Sequence, residues 1–131
     1  MFKKALAVGQ VFEKTITVEH KDTAAAFGSG SVEVFATPAM IALMEGTALE
    51  GVQPFLDDDY TTVGIHVCVN HVKATPVGAK VTCRAIVVSV EDAKLLFVVS
   101  AYDEQGEIGS GTHKRFVVNL PEFMAKAGKK G

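Results

Sequence analysis

The chain contains no tryptophan, only two cysteines and only four prolines among its 131 residues. Cys68 and Cys83 are too few for a disulfide framework, and neither sits in a Cys, His or acid cluster of metal-ligand spacing. Both fall in alternating apolar segments, and we read them as buried thiols. No apolar run approaches the ~18 residues that a membrane span requires. The first residues, "MFKKALAVGQVFEK", place two lysines before a short apolar run, without the length or the small-residue cleavage site of a signal peptide. A cytoplasmic location is therefore expected, with no membrane partner. An excess of positive charge is also missing. Thirteen Lys and Arg face fifteen Asp and Glu, for a net charge of −2. The basic residues are scattered apart from the terminal "KKG", and no aromatics interleave with arginine, so no nucleic-acid partner is expected.

What is present is an ordinary globular composition, 48% hydrophobic and 21% charged. Residues 1–131 read as a single domain, long enough for a substantial core. "VGQVFEKTITVEH" (8–20) alternates like a strand, "KDTAAAFGSGS" (21–31) reads as a loop or short helical turn, and "VEVFA" (32–36) as a short strand or a lead into a helix. The helix start is the clearest local signal: Thr37 suits the N-cap and Pro38 the first helical position, and the helix should run to about Gly51. After Asp59 the period changes from 3.6 to 2. Segments 61–75, 79–92, 93–104 and 106–119 read as four strands, joined by "PVG", "EDAK" and "DEQGE" as hairpin turns. The closing "LPEFMAKAGKKG" is a short helix or a frayed tail. The expected class is α+β, a long curved antiparallel sheet wrapped around one helix that is apolar nearly all round.

That helix carries an anomaly. In "TPAMIALMEGTALEG", Glu45 has Ile41, Ala42, Ala48 and Leu49 as its helical neighbours, none able to pair with a carboxylate. An unpaired buried charge costs several kcal/mol unless it is paired or its pKa moves. Two readings follow. Glu45 leaves through a gap in the sheet or pairs with a distant arginine, or it is a nucleophile or general base in a pocket along the helix. Thr37 is a cap that also stands where free helix N–H groups and the positive end of the dipole meet an anion. In "GIHVCVNHVK", alternation puts Ile65, Val67, Val69 and His71 on the helix-facing side, with His66, Cys68 and Asn70 on the other. A lone core histidine is usually structural, but His71 faces the element that carries Glu45. His113 and Arg115 share one face of the last strand; Arg115 is a candidate partner for Glu45 or a contact for a phosphate or carbonyl. His20 reads as surface.

"TPAMIALMEGTALEGVQPFL", "TVGIHVCVNHVKATPVGAKVT" and "GTHKRFVVN" closely resemble the hotdog-fold fluoroacetyl-CoA thioesterase family, over roughly residues 10 to 125. The most specific part is a Thr, a Glu eight residues later and a His twenty-six after that, matched without a gap by Thr37, Glu45 and His71. The resemblance implies a hotdog fold that dimerises by joining sheets edge to edge, and hydrolysis of an acyl-CoA substrate. It implies that Thr37, Glu45 and His71 are catalytic, that Gly64 and Arg115 are linked to substrate binding, and that neither a metal nor a cofactor takes part. The phenylalanines that gate the fluoroacetyl-specific pocket have no evident counterpart, since Phe27 and Phe35 are out of register. A small acyl group, rather than fluoroacetyl in particular, is expected, with Met40, Met44 and the 22–36 loop setting the pocket floor.

Eight helical residues span about 12 Å, so Thr37 and Glu45 of one chain should not touch. Two antiparallel helices across a homodimer would bring Thr37 of one subunit to Glu45 of the other. The helix start would then polarise the thioester carbonyl. Glu45, assisted by His71, would attack it or activate water, and His71 would protonate the departing thiolate. The alternatives are a non-catalytic acyl-CoA-binding module and an enoyl-CoA hydratase. The second requires an Asp and His near the helix start, and Asp22 and His20 fit poorly.

Overall fold

The computed structural model describes residues 1–128. Five strands form where the apolar residues alternate: β1 Val11–Thr17, β2 Tyr60–His71, β3 Lys80–Glu91, β4 Lys94–Asp103 and β5 Gly106–Asn119. They make one sheet in the order β1-β3-β4-β5-β2, each neighbour antiparallel. Helices are α1 Ala24–Phe27, α2 Thr37–Val52 and α3 Leu120–Ala127, with 3-10 turns at His20–Asp22 and Gln53–Phe55. The expected tail "LPEFMAKAGKKG" is thus helical through Ala127, and residues 129–131 lie outside the described part.

The central strands bury one row each. Val81, Cys83, Ala85 and Val87 of β3, and Leu95, Phe97, Val99 and Ala101 of β4, are essentially inaccessible to solvent. Across from them α2 presents Met40, Met44, Ala48 and Val52, spaced four apart and each 0% exposed. That spacing places them on one stripe of the helix. Each buried side chain of Leu, Val or Met size contributes roughly 1.5–3 kcal/mol, which fixes the sheet on this stripe.

The expected sheet around a central helix is present, and it covers one side of α2: Pro38 and Ala42 on the other side are exposed, and Ile41, Glu45 and Leu49 half-covered. This leaves a second, mostly apolar stripe open. Thr37 does not cap the helix, because Ala36 is the N-cap and no side chain caps the first turn; Thr37 and Pro38 are the first two helical residues. Cys83 is buried as expected, but Cys68 is exposed. Finally, β2 stops at His71 and breaks its alternation on the way. Gly64 is opposite Arg115, while the next paired residue, His66, is opposite Lys114. Ile65 is the extra residue of a β-bulge and is 49% exposed, instead of facing the helix.

Candidate active site

The bulge decides which side chains of β2 meet the helix. Directly opposed residues share a face of the sheet. Thr62 and Gly64 are opposite Val117 and the buried Arg115, and beyond the bulge Val67, Val69 and His71 are opposite His113, Gly111 and Gly109. Simple alternation would have set Gly64 with His66 on the outer face. With one residue inserted, Gly64 and His71 lie on the same inner face, and His66, Cys68 and Asn70 remain outside as expected.

Two clusters result, one at each end of the open stripe of α2. At the helix start, Thr37 Oγ1 lies 2.8 Å from His71 Nδ1. A residue at the first helical position directs its side chain away from the helix, toward the strand beside it, and Thr37 therefore meets His71. His71 is half-buried, and its Nε2 is fully buried with no hydrogen-bond partner among the described residues. Desolvation by burial holds its pKa below the ordinary histidine value, partly offset by the nearby Lys73 backbone. At neutral pH the ring is therefore neutral and can act as a base. The fully buried Phe35 packs edge-on to it, with ring centroids 6.5 Å apart. Beside this pair is a cleft of about 410 Å³ lined by Phe35, Thr37, Pro38, His71, Val72 and Lys73, with part of the 24–34 loop. Phe27, by contrast, is exposed on α1.

The second cluster surrounds Gly64. A Cβ added there would lie 3.3 Å from Arg115 Nη1, 3.3 Å from His113 Cε1 and 3.7 Å from Glu45 Oε2. The missing side chain thus leaves a methyl-sized gap bounded by a carboxylate, a guanidinium and an imidazole. Glu45 is half-buried and makes no hydrogen bond or close ion pair among the described residues. Arg115 is buried at 5% exposure and bonded to Thr62: Nε–H donates to Oγ1 at 2.7 Å and Nη2–H to the carbonyl at 2.9 Å. Burial pulls its pKa down and the nearby Glu45 charge opposes that. The "distant arginine" is therefore real, but it stands across the Gly64 gap from Glu45 without gripping it. His71 joins Thr37 rather than Glu45 within the chain, and the two clusters are kept apart by two turns of helix, about 12 Å.

Sequence reasoning missed Thr62 and the inward role of Phe35. Thr62 is hidden because the apparent alternation of Val63, Ile65 and Val67 points to the wrong face. The only signal was the polar "TT" and the glycine in what should have been a plain apolar strand.

Known proteins resemble this chain over most of its length. The model of the family described as fluoroacetyl-CoA-specific thioesterase (FlK) matches residues 18–120. Fluoroacetyl-CoA thioesterase of Streptantibioticus cattleyicolor is 45% identical over 98 residues, covering 75% of this chain and 70% of that protein. A solved structure of the fluoroacetyl-CoA thioesterase FlK superposes with a TM-score of 0.92 at 36% identity, over 98% of this chain and 99% of that one. A variant of the same enzyme, in complex with fluoroacetate and CoA, superposes with a TM-score of 0.86 at 37% identity, covering 90% and 99% of the two chains. With the fold and the match over most of its length in agreement, the chain belongs to the fluoroacetyl-CoA-specific thioesterase family.

Proposed function

We propose that this protein hydrolyses a small acyl-CoA thioester to the free acid and CoA, at two sites per homodimer. The observation that carries this is the pairing of Thr37 with His71 at an uncapped helix start, while Glu45 sits two turns away beside an open apolar stripe. Supporting the dimer are that stripe and the free edge of β2, which bonds to β5 on one side only. An antiparallel second copy of α2 would bring its Glu45 to the Thr37–His71 pair of the first.

In this reading the thioester carbonyl lies at the start of α2. Thr37 and Ala39 carry backbone N–H groups that the first turn leaves unpaired, and Pro38 has none. These donors and the dipole stabilise the oxyanion as it develops. Glu45 from the partner attacks the carbonyl carbon or takes a proton from an attacking water. The water's proton, taken by Glu45 as the water adds or by His71 when water later cleaves the Glu45 anhydride, passes through His71, neutral and bonded to the Thr37 hydroxyl, to the CoA thiolate as the C–S bond is given up. Use of an acyl-CoA ester supports a cytoplasmic location, one compartment where such esters are made and consumed.

The test is thiol release from a panel of acyl-CoAs, from acetyl and fluoroacetyl to longer chains, with single variants alongside. Short acyl groups should be hydrolysed fastest. Glu45→Gln and His71→Ala should each lower kcat by about 10²–10⁴-fold, and Thr37→Ala by about 10–10²-fold. Binding of CoA esters without hydrolysis would make the protein a binding module instead. Full turnover by Glu45→Gln would refute the mechanism while leaving the family intact.

A further inference from the structure

The mechanism leaves the buried His113 without a task. His113 is 0% exposed, in an inner row where the neighbouring strand has Phe97 and Val99. Its Nε2 lies 3.1 Å from Arg115 Nη1, and its Nδ1 lies 2.8 Å from the carbonyl oxygen of His66, beside the bulge. These two contacts determine its protonation. A guanidinium only donates hydrogen bonds, so Nε2 must hold the lone pair. A carbonyl only accepts, so Nδ1 must carry the proton. The ring is therefore the neutral Nδ1–H tautomer, and an imidazolium would set N–H against N–H in a buried space.

The charged and titratable groups around it act in both directions, with burial deciding the outcome. Arg115 faces it from its own strand, Glu45 from α2 and His66 from β2, while β4 offers only the ring of Phe97, stacked with centroids 6.3 Å apart. Burial and then the Arg115 charge keep His113 less basic than an ordinary histidine, although the bond to His66 and the Glu45 charge oppose them.

With His113 and Thr62 as acceptors, Arg115 has three of its five N–H groups engaged. One of the two remaining hydrogens is on Nη1, the atom beside the Gly64 gap. We propose that His113, together with Thr62, is a positioning residue that holds the Arg115 guanidinium with an Nη1–H facing the Gly64 gap opposite Glu45. The bulge at Ile65 serves both ends of this chain, turning Gly64 inward and setting the His66 carbonyl against His113. The inference rests on the proposed function for the importance of Arg115, but not for the geometry. A guanidinium free to swing would misplace the carboxylate or the acyl group across the gap, and small misplacements are costly in rate.

Two substitutions separate positioning from packing. In His113→Gln the side-chain oxygen reaches the place of Nε2 and accepts from Arg115. In His113→Asn the amide reaches only the place of Nδ1 and leaves Arg115 Nη1 without its acceptor. The expected result is kcat/KM within about threefold of the parent for Gln and lowered at least tenfold for Asn, with similar melting temperatures. The acid limb of the pH–rate profile should also extend to lower pH in His113→Gln, because a titrating ring next to Arg115 has been removed. Nitrogen-15 NMR of the imidazole and of the Arg115 Nε–H decides the geometry without any substrate. It should show a neutral Nδ1–H ring at pH 7, and an Arg115 signal that is sharp in parent and Gln and exchange-broadened in Asn. An Nε2–H or charged ring, or an unchanged Arg115 signal in Asn, overturns the proposal; so does an equal loss of rate in both variants accompanied by an equal drop in melting temperature. If the parent itself hydrolyses no thioester, the proposed function fails and the NMR result still decides this one.

Discussion

Glu45 and His71 look alike in the sequence, each a lone titratable residue in an apolar setting, yet their surroundings differ. Glu45 is only half-buried and opens toward a gap with a guanidinium on its far side. His71 presents Nδ1 to a hydroxyl and buries Nε2. Both His71 and His113 have pKa values depressed mainly by desolvation. The consequence for stability has a definite sign. Between the lowered folded value and about 6.5, where an unfolded chain protonates its histidines, the unfolded state binds more protons, so stability rises with pH. The melting temperature should therefore fall steadily from pH 7 toward pH 5, and the slope should be shallower in His113→Gln. A flat profile over that range would contradict the neutral, buried state of both rings. Asp103 acts in a separate window. Burial raises its pKa, but bonds from Lys73 Nζ, the Gln105 N–H and Thr75 Oγ1 outweigh that and lower it. Its contribution is present above about 3.8 and is lost as the pH falls through the lower folded value.

At the scale of elements, the helix and the strands were legible because each repeats a period over many residues. The helix was expected to end near Gly51 and ends at Val52. The boundaries of β3 and β4 fall within one residue of the alternating segments, and β5 matches its segment. A β-bulge leaves no comparable mark, since one inserted residue changes the phase without changing the composition. That is why Ile65 was placed inward and Thr62 overlooked. Close packing is equally invisible in one dimension. Gly51 in α2 lies against Phe12 of β1, where an added Cβ would fall 2.1 Å from the ring. Gly51→Ala would gain about 0.8–1 kcal/mol of helix propensity but incur an overpacking cost of about 1–3 kcal/mol. The overpacking should prevail. Denaturant unfolding should show a net loss of up to about 2 kcal/mol, whereas in a Phe12→Ala background, where room has been made, Gly51→Ala should cost nothing or stabilise.

For the whole molecule, the open stripe Pro38, Ile41, Ala42, Glu45 and Leu49 and the free edge of β2 are the features on which the proposed dimer rests. Light scattering should give a mass of two 13.9 kDa chains, and Ala42→Lys on the stripe should yield inactive monomers. The cross-subunit site has a sharper test. Chains carrying Thr37→Ala mixed with chains carrying Glu45→Gln should regain up to about a quarter of parental activity, because half the dimers would be mixed and each would hold one intact site. No recovery after verified subunit exchange would place the whole site in one chain.

The sequence by itself determined the elements, the helix start at Thr37–Pro38 and the oddity of Glu45, because periodicity and the lack of a local partner are properties of neighbours along the chain. It also carried the family, through a spacing of Thr, Glu and His that needs no coordinates. Only the tertiary structure decided that His71 belongs with Thr37, and that Arg115 is tied to Thr62 and His113 and faces Glu45 across a missing side chain. Apart from His113 and Arg115, two positions apart on β5, those relations join residues 34 to 70 positions apart. They depend on strand register, and the register turned on one extra residue in β2.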